Sequence, residues 1–150
     1  MIEDLLQLAR DGQPIDETEP VSLETAAREA WKMVETPEAT LAVAGDREFE
    51  ADPDRLASLL ENLFRNAIEH AGPDVTVTVE PTTAGFAVED DGPGIPPEDR
   101  ETVFDSGYTT DEQGTGFGLA IVSEIATAHD WSVEIEEGTD GGARFVFDLR

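Results

Sequence analysis

The segment Asp90-Asp91-Gly92-Pro93-Gly94-Ile95 decides how this chain is expected to fold. It follows residues 75–80 and 85–89, whose composition and alternation predict a β-hairpin with a second strand that ends at Asp90. Gly92 and Gly94 allow the backbone to turn close against a flat ligand, where a Cβ would intrude. A carboxylate only accepts hydrogen bonds, so Asp90 favours a purine that presents an exocyclic amine to it, as adenine does, over one that presents a carbonyl, as guanine does. Taken alone, the segment is typical of an ordinary acidic turn.

A helix is predicted directly before this hairpin. Asp52 followed by Pro53 is a strong helix start, and Gly72 followed by Pro73 is a clear stop. In the run Asn62-Leu63-Phe64-Arg65-Asn66-Ala67, the two asparagines lie one helical turn apart on one flank of the apolar face. Asparagine is a poor residue in the interior of a helix, so the pair serves either a ligand or buried backbone groups at the helix rim. The helix alone does not decide between these two interpretations.

A long connection and a second glycine-rich run follow Asp90. Residues 96–114 contain Phe104, show no sustained periodicity, and are long for a connection within a compact domain, which is typical of functional or disordered loops. The run Gly114-Thr115-Gly116-Phe117-Gly118-Leu119 then opens a predicted helix. Glycines at a helix start expose unpaired N–H groups and the positive end of the dipole, which suit a polyphosphate. Because the run follows a loop and not a strand, the dinucleotide-binding fingerprint is disfavoured.

The remaining segments complete an α/β (α+β) pattern. A helix is predicted over residues 21–34 with Ser22 as its N-cap, followed by strands near residues 41–43 and 48–51. Two further strands are predicted at residues 131–137 and 143–149. The expected fold is a two-layer sandwich in which a mixed sheet of about five strands is backed by three helices. At the end of the last helix, His129 is expected to pack or to cap the helix and not to act in catalysis.

Together and in this order, the motifs resemble those of the catalytic and ATP-binding domain of sensor histidine kinases, a branch of the GHKL (Bergerat-fold) ATPase superfamily. The resemblance covers roughly residues 21–150, the expected catalytic domain. It implies that Asn66 is a Mg²⁺ ligand, that Asp90 receives the adenine amino group, and that residues 96–114 form an ATP lid. The nucleotide-binding residues that it implies are Asn66, Asp90, Gly92, Gly94, Ile95, Phe104, Gly114, Thr115, Gly116, Gly118 and Leu119.

By this resemblance, the chain would bind Mg-ATP and donate the γ-phosphoryl group to a histidine of a dimerisation or phosphotransfer domain. The pathway would continue to a response regulator, as in two-component signalling. Asn62, Asn66 and His70 are the candidate catalytic residues. Neither His70 nor His129 lies in a sequence that resembles the phosphoacceptor box of the family, so the acceptor is expected on a partner domain of the same full-length protein.

Two departures from the family pattern bear on the reaction. Many members carry a basic residue and then Tyr after the asparagine motif, whereas this chain has Glu69 and His70, which makes His70 the candidate for phosphate contact. Hydrolysing relatives place a water-activating Glu four residues before the Mg²⁺ asparagine; here that position is Asn62, which favours a kinase over an ATPase. The alternatives are an ATPase of the same superfamily, an anti-sigma-like serine kinase, and a degenerate nucleotide-sensing module.

Residues 1–20 are expected to precede the catalytic domain. Apolar residues recur at helical spacing in residues 1–10, but a segment of that length is too short to form a stable helix alone. Residues 11–20 are polar, contain Gly12, Pro14 and Pro20, and are typical of a linker. By the resemblance, residues 1–20 are the end of a dimerisation helix and its linker. The alternative is a terminal helix that docks on its own domain.

Acidic residues dominate the composition. The chain has 35 Asp and Glu against 9 Lys and Arg, a formal net charge of −26, and a hydrophobic content of 39%. Because the acids are spread along a chain with that apolar content, they predict a solvated acidic coat and not a disordered tail. Such a coat repels phosphate backbones, which argues against a nucleic-acid partner. The acid-rich, lysine-poor composition resembles that of haloarchaeal proteins.

Other residue counts restrict the class of protein further. With no cysteine and only two histidines, the chain has no disulfide or thiolate site, and a multi-histidine metal site is not expected. No apolar run approaches the ~20 residues needed to span a bilayer, and residues 1–20 lack the layout of a signal peptide. No membrane contact and a cytoplasmic location are therefore expected for this part of the protein.

The net charge generates a prediction about salt. At ~0.01 M salt, where the Debye length is ~30 Å, the negative charges repel one another and an anionic nucleotide across the whole domain; at ~1 M the length is ~3 Å. We expect the melting temperature and the nucleotide on-rate both to rise as KCl goes from millimolar to molar. Circular-dichroism melts and stopped-flow binding measure the two quantities. If both fall with added KCl, the charge argument is wrong.

Overall fold

The computed structural model describes residues 18–34, 38–72, 74–92, 118–138 and 141–149. The first half of the described chain contains two helices and three short strands. In chain order, the elements are β1 (Glu19–Ser22), α1 (Leu23–Lys32), β2 (Thr40–Val43), β3 (Glu48–Ala51), α2 (Pro53–Ala71), β4 (Thr76–Pro81), β5 (Gly85–Asp90), α3 (Gly118–Ala128), β6 (Ser132–Glu137) and β7 (Ala143–Asp148).

Five strands form the main sheet in the order β2-β4-β5-β7-β6. The β2–β4 pair is parallel and the other neighbouring strands are antiparallel, so the sheet is mixed. Alternate residues on β4 and β7 are buried and form the face that packs against the helices: Val77, Val79, Ala143, Phe145 and Phe147. The predicted mixed sheet of about five strands with three helices is confirmed.

Strand β1 differs from the prediction. The helix expected over residues 21–34 begins at Leu23 and ends at Lys32, and β1 extends back into the segment predicted as a linker. The cause is long-range: β1 pairs antiparallel with β3, Val21 opposite Phe49, and this partner cannot be read from local sequence. Ser22 is nevertheless the N-cap as predicted, with an extended backbone and a side chain that accepts a hydrogen bond from the Thr25 N–H at 3.2 Å.

Helix α2 has the boundaries that its terminal residues predict. The Asp52 carboxylate accepts hydrogen bonds from the N–H groups of Asp54 and Arg55, at 3.0 and 3.3 Å. Pro53 occupies the first helical turn, where a missing N–H costs no hydrogen bond. At the other end, Gly72 has φ 109° and its N–H donates to the Ile68 carbonyl. Both ends of the helix that carries the two asparagines are therefore fixed by local hydrogen bonds.

Aromatic rings join the small β1–β3 sheet to the main sheet. Phe49 on β3 stacks on Phe86 of β5 at 5.5 Å between ring centroids, and Phe86 stacks on Phe147 of β7 at 4.7 Å. Trp131 lies edge-on to both Phe49 and Phe86. Phe86 and Phe147 are fully buried. This cluster holds the start of α2, directly after β3, against the centre of the main sheet.

A charge cluster joins four strands of the main sheet. The Arg144 guanidinium on β7 lies 2.5 Å from Glu80 Oε1 on β4, 2.6 Å from Glu89 Oε1 on β5, and 3.9 Å from Glu136 Oε1 on β6. Burial lowers the pKa of Arg144, but the hydrogen bonds to Glu80 and Glu89 outweigh it and raise the pKa. The guanidinium therefore stays charged and neutralises carboxylates that would repel each other on adjacent strands.

The end of α3 is a Schellman motif closed by an aspartate. The Trp131 N–H donates to the Ala126 carbonyl at 2.8 Å, and the Asp130 N–H donates to the Thr127 carbonyl at 3.0 Å. Asp130 has φ 63°, and among the described residues no other non-glycine residue has a positive φ. Glycine is the usual residue at this position because a Cβ is strained there.

This strain predicts that Asp130→Gly stabilises the protein. We expect the free energy of unfolding to rise by ~0.5–1 kcal/mol, because a left-handed residue with a Cβ costs roughly 1–2 kcal/mol and the added freedom of glycine when unfolded offsets part of the gain. Urea denaturation in high salt measures it. Asp74→Gly is the matched control, since Asp74 has no positive φ, and we expect it to lower the stability. Equal destabilisation by both substitutions would contradict the prediction.

Candidate functional site

Asp90 lies at the end of β5 and is largely buried, with 8% of its surface exposed. Its Oδ1 atom accepts hydrogen bonds from the Gly92 N–H at 3.0 Å and from the Ala143 N–H at 3.2 Å. One donor comes from the turn directly after β5 and the other from the first residue of β7. The two amides hold the carboxylate in one orientation.

Gly142 makes this arrangement possible. A Cβ at residue 142 would lie 2.0 Å from the carbonyl oxygen of Asp90 and 2.6 Å from Asp90 Oδ1. No side chain fits in that space, so only glycine lets the start of β7 approach the carboxylate. The sequence predicts residues 138–142 only as a connection between two strands, so it does not predict the role of Gly142. The pair Gly141-Gly142 is a signal, but it is also typical of any hairpin turn.

Gly92 brings the turn after β5 against α2. A Cβ at residue 92 would lie 2.2 Å from the Ala71 Cβ and 2.8 Å from the Ala71 Cα. From the sequence, this glycine is expected to allow the approach of a flat ligand. In the structure, its close contact is with Ala71, the last residue of α2. Asp91, next to it, accepts a hydrogen bond from the Thr76 N–H at 3.0 Å and ties the same turn to β4.

The two asparagines of α2 differ in their surroundings. Asn62 is buried, and its Nδ2 donates to the Ser58 carbonyl at 2.7 Å, so part of its amide satisfies the backbone of its own helix. Asn66, one turn later, is partly exposed. Asn62 thus donates to a backbone carbonyl of its own helix, whereas Asn66 is accessible to a ligand. His70 lies in the last turn of α2, but its side chain is outside the description.

Helix α3 begins at Gly118, followed by the buried Leu119. Its first turn contains no acidic residue, whereas the first turns of α1 and α2 contain Glu24 and Asp54. In a chain of net charge −26, the described first turn of α3 thus carries no carboxylate of its own that would repel an anion.

Several predicted site residues lie outside the described residues. These are Gly94, Ile95, Phe104, Gly114, Thr115 and Gly116, together with the rest of the predicted lid. Of the predicted set, the structure therefore describes Asn62, Asn66, Asp90, Gly92, Gly118 and Leu119.

His129 has the packing role expected from the sequence. Its ring stacks on Trp131 with centroids 4.1 Å apart. Its Nδ1 lies 2.9 Å from the Ile125 carbonyl oxygen, and its Nε2 accepts a hydrogen bond from the Asp52 N–H at 3.0 Å. Both ring nitrogens are engaged within the fold.

In the described part of the chain, no three His, Asp or Glu side chains are grouped so as to hold a metal ion. None of the helices described there has the length and apolar character needed to cross a membrane.

Curated relatives of the chain are sensor histidine kinases. It is 36% identical to the sensor histidine kinase CpxA of Escherichia coli K12 over 99% of its own length and 36% of that protein. It is 38% identical to the sensor histidine kinase ZraS of Salmonella typhi over 69% of its own length and 23% of that protein. The chain thus spans only about a third of the length of CpxA and less of ZraS.

Solved structures of histidine kinases share the fold. The catalytic domain of the histidine kinase ThkA matches with a TM-score of 0.70 and 29% identity, over 87% of this chain and 93% of that one. Full-length ShkA, solved in complex with AMPPNP, matches with a TM-score of 0.75 and 29% identity, over 99% of this chain and 35% of that one.

A family model also matches residues 51–150, which include α2, β4, β5, α3 and the last two strands. That family is described as "Histidine kinase-, DNA gyrase B-, and HSP90-like ATPase". The matched segment contains Asp90, both asparagines and the start of α3. The chain belongs to this family, as an ATP-binding domain of the sensor histidine kinase type.

Proposed function

We propose that this chain binds Mg-ATP and donates the γ-phosphoryl group to a histidine on a dimerisation or phosphotransfer domain, from which a response regulator is phosphorylated. The observation that carries the proposal is the Asp90 carboxylate, buried at the end of β5 and held by the Gly92 and Ala143 amides. The sensor histidine kinases to which the chain is similar support the class of reaction.

Asp90 is the residue that selects adenine in this proposal. The two amides bind one side of the carboxylate, so its orientation is set before any nucleotide arrives. The carboxylate then accepts a hydrogen bond from the exocyclic amine of adenine. Guanine carries a carbonyl at the corresponding position, which meets the carboxylate without a proton between them. The repulsion between these two acceptor oxygens, with no hydrogen bond to offset it, therefore excludes guanine.

Asn66 is the proposed Mg²⁺ ligand. Mg²⁺ keeps several waters and takes most of its remaining ligands from nucleotide phosphates, so one amide oxygen from the protein fits its needs. Asn66 fits because it is partly exposed on α2, whereas Asn62 is buried against its own helix. The metal would neutralise phosphate charge while the chain positions the nucleotide.

The phosphates are proposed to lie at the start of α3. The N–H groups of its first turn point out of the helix, and no acidic side chain in that turn opposes an anion. Gly114, Thr115 and Gly116 would extend this cradle, Phe104 would belong to a closing lid, and His70 would supply a further phosphate contact. In the transfer step, an acceptor imidazole nitrogen forms a bond to the γ-phosphorus. The bond between the γ-phosphorus and the β–γ bridging oxygen breaks, and ADP leaves with that oxygen.

Asn62 supports a kinase over a hydrolysing ATPase. An amide is not a general base, and the Nδ2 of this one already donates to the Ser58 carbonyl. Glu61, one step round the helix from Asn62, forms an ion pair with Arg65 at 3.3 Å, so no carboxylate stands at the water-activating position itself. The nucleophile is therefore supplied by the partner domain. His129 does not serve as that nucleophile, because both of its nitrogens are engaged.

A transfer assay tests the proposal. We expect label from γ-labelled ATP to appear on a dimerisation domain added in trans, as acid-labile phosphohistidine, and not on this chain alone. Asn66→Ala should cut the Mg²⁺-dependent transfer at least ~10-fold while changing Mg²⁺-free ADP binding less, since the amide oxygen acts only through the ion. Arg65→Ala, next to it on α2 and exposed, is the control. Label on this chain alone, or an unchanged metal dependence in Asn66→Ala, overturns the assignment.

Adenine selectivity gives a separate prediction. Asp90→Asn should lower ATP affinity by ~1.5–3 kcal/mol, because the amide oxygen must take the place of Oδ1 and its NH₂ group then faces the adenine amine. Calorimetry with ATP and GTP measures the loss. Asp91→Asn is the matched control, since that carboxylate binds Thr76, and we expect its ATP preference to be normal. Equal affinity of the wild type for ATP and GTP would falsify the role of Asp90.

A further inference from the structure

His129 connects the end of α3 to the beginning of α2. Its Nε2 accepts the Asp52 N–H at 3.0 Å, so the ring proton is on Nδ1, which donates to the Ile125 carbonyl at 2.9 Å. The imidazole ring stacks on the Trp131 ring, with 4.1 Å between the ring centroids. The contact with Asp52 spans 77 residues of sequence. It is therefore a tertiary link and not part of the local cap of α3.

The link completes the N-terminal cap of α2. Asp52 is the N-cap, and its side chain accepts from the N–H groups of the first turn. In a capping box there is a second hydrogen bond, in which the side chain of a Glu or Gln at the third helical position accepts from the N-cap N–H. Here that position is Arg55, which has no acceptor. His129 supplies the missing acceptor from another helix.

We infer that neutral His129 is a positioning residue for nucleotide binding, because it fixes α3, whose start faces the phosphates, against α2, which carries Asn66. The inference rests on the proposed function, which places the phosphates at Gly118 and the metal at Asn66. The two contacts to one nucleotide come from different helices, so their spacing depends on how the helices are joined. The Nε2 hydrogen bond to Asp52 joins them at the end remote from Gly118.

Protonation removes the link. A protonated Nε2 carries an N–H group, which faces the Asp52 N–H and cannot accept from it. Burial lowers the pKa of His129; the hydrogen bond to the Ile125 carbonyl and the nearby Asp52 carboxylate oppose this, and Arg55 adds to it. Since the folded pKa lies below the ordinary value of 6.5, the link is intact above pH 6.5 and is lost as the pH falls through the folded pKa.

Linkage makes the inference measurable without any substitution. If nucleotide binding requires the neutral ring, saturating ADP with Mg²⁺ present must lower the pKa of His129 further, and acidification must lower the affinity for ADP with Mg²⁺ by the matching factor. We expect acidification to lower ADP affinity about fivefold, which is the lower end of the typical coupling between two sites. The chain has two histidines, so NMR resolves both imidazole titrations, with His129→Gln to assign the signals. A His129 pKa that is the same with and without ADP overturns the inference.

Two variants separate the hydrogen bond from the packing. His129→Gln keeps an acceptor that does not titrate, and His129→Phe keeps a ring on Trp131 but has no acceptor. We expect ADP affinity to fall with acidification in the wild type and to fall less in His129→Gln. In His129→Phe we expect ADP affinity to be below that of the wild type at neutral pH and to fall with acidification no more than in His129→Gln. The titrations of ADP itself and of His70 are common to all three proteins. Parallel profiles in the wild type and His129→Gln overturn the inference.

These outcomes are distinct from failure of the proposed function. Absence of phosphotransfer to a dimerisation domain, with the His129 linkage to ADP intact, removes the kinase proposal and keeps the role of His129. Normal phosphotransfer, with a His129 pKa that does not respond to ADP, keeps the kinase proposal and removes the role of His129. If His129→Phe does not fold, the NMR titration of the wild type still decides the inference.

Discussion

The site depends on the close approach of three backbone segments around the Asp90 carboxylate. The end of α2 meets the turn after β5 at Ala71 and Gly92, and the start of β7 meets Asp90 through Gly142 and Ala143. Neither approach leaves room for a side chain. The carboxylate is thus fixed by backbone amides, whose positions follow from the sheet and α2. Its orientation is a property of the fold, and the site needs few specialised side chains around it.

Local signals predicted the helices well and the distant pairings poorly. Asp52-Pro53 and Gly72 gave the ends of α2 because caps act within one turn. Strand β1 was missed since its stability comes from β3, and the four residues Glu19–Ser22 carry little strand signal of their own. The role of Gly142 was missed for the same reason, because the atoms that forbid a side chain there belong to Asp90, 52 positions earlier. In the same way, the sequence of α2 did not distinguish Asn62 from Asn66. The two asparagines differ in their burial in the folded chain.

Charge is distributed so that an acidic chain can still hold an anion. One arginine, Arg144, neutralises carboxylates from three strands, at a place where adjacent strands would otherwise carry unopposed negative charge. The first turn of α3 has no acidic residue, and the helix itself is predominantly apolar, with Ile121, Val122 and Ile125 buried. The described first turn of α3 therefore adds no negative charge at the helix start that is proposed to bind phosphate. Long-range repulsion remains, and salt screens it, whereas the short-range contacts at the helix end are affected less.

The strand order has a consequence for how the protein is made on the ribosome. Strand β7 lies between β5 and β6, although it is the last of the strands in the chain. Until residues 143–148 have emerged from the exit tunnel, β5 has β4 on one side and an unpaired edge on the other. An unpaired edge of this kind is a template for pairing with other chains. The Ala143 N–H reaches Asp90 only when that gap closes, so a nascent chain acquires its complete carboxylate clamp and loses its exposed edge in the same step.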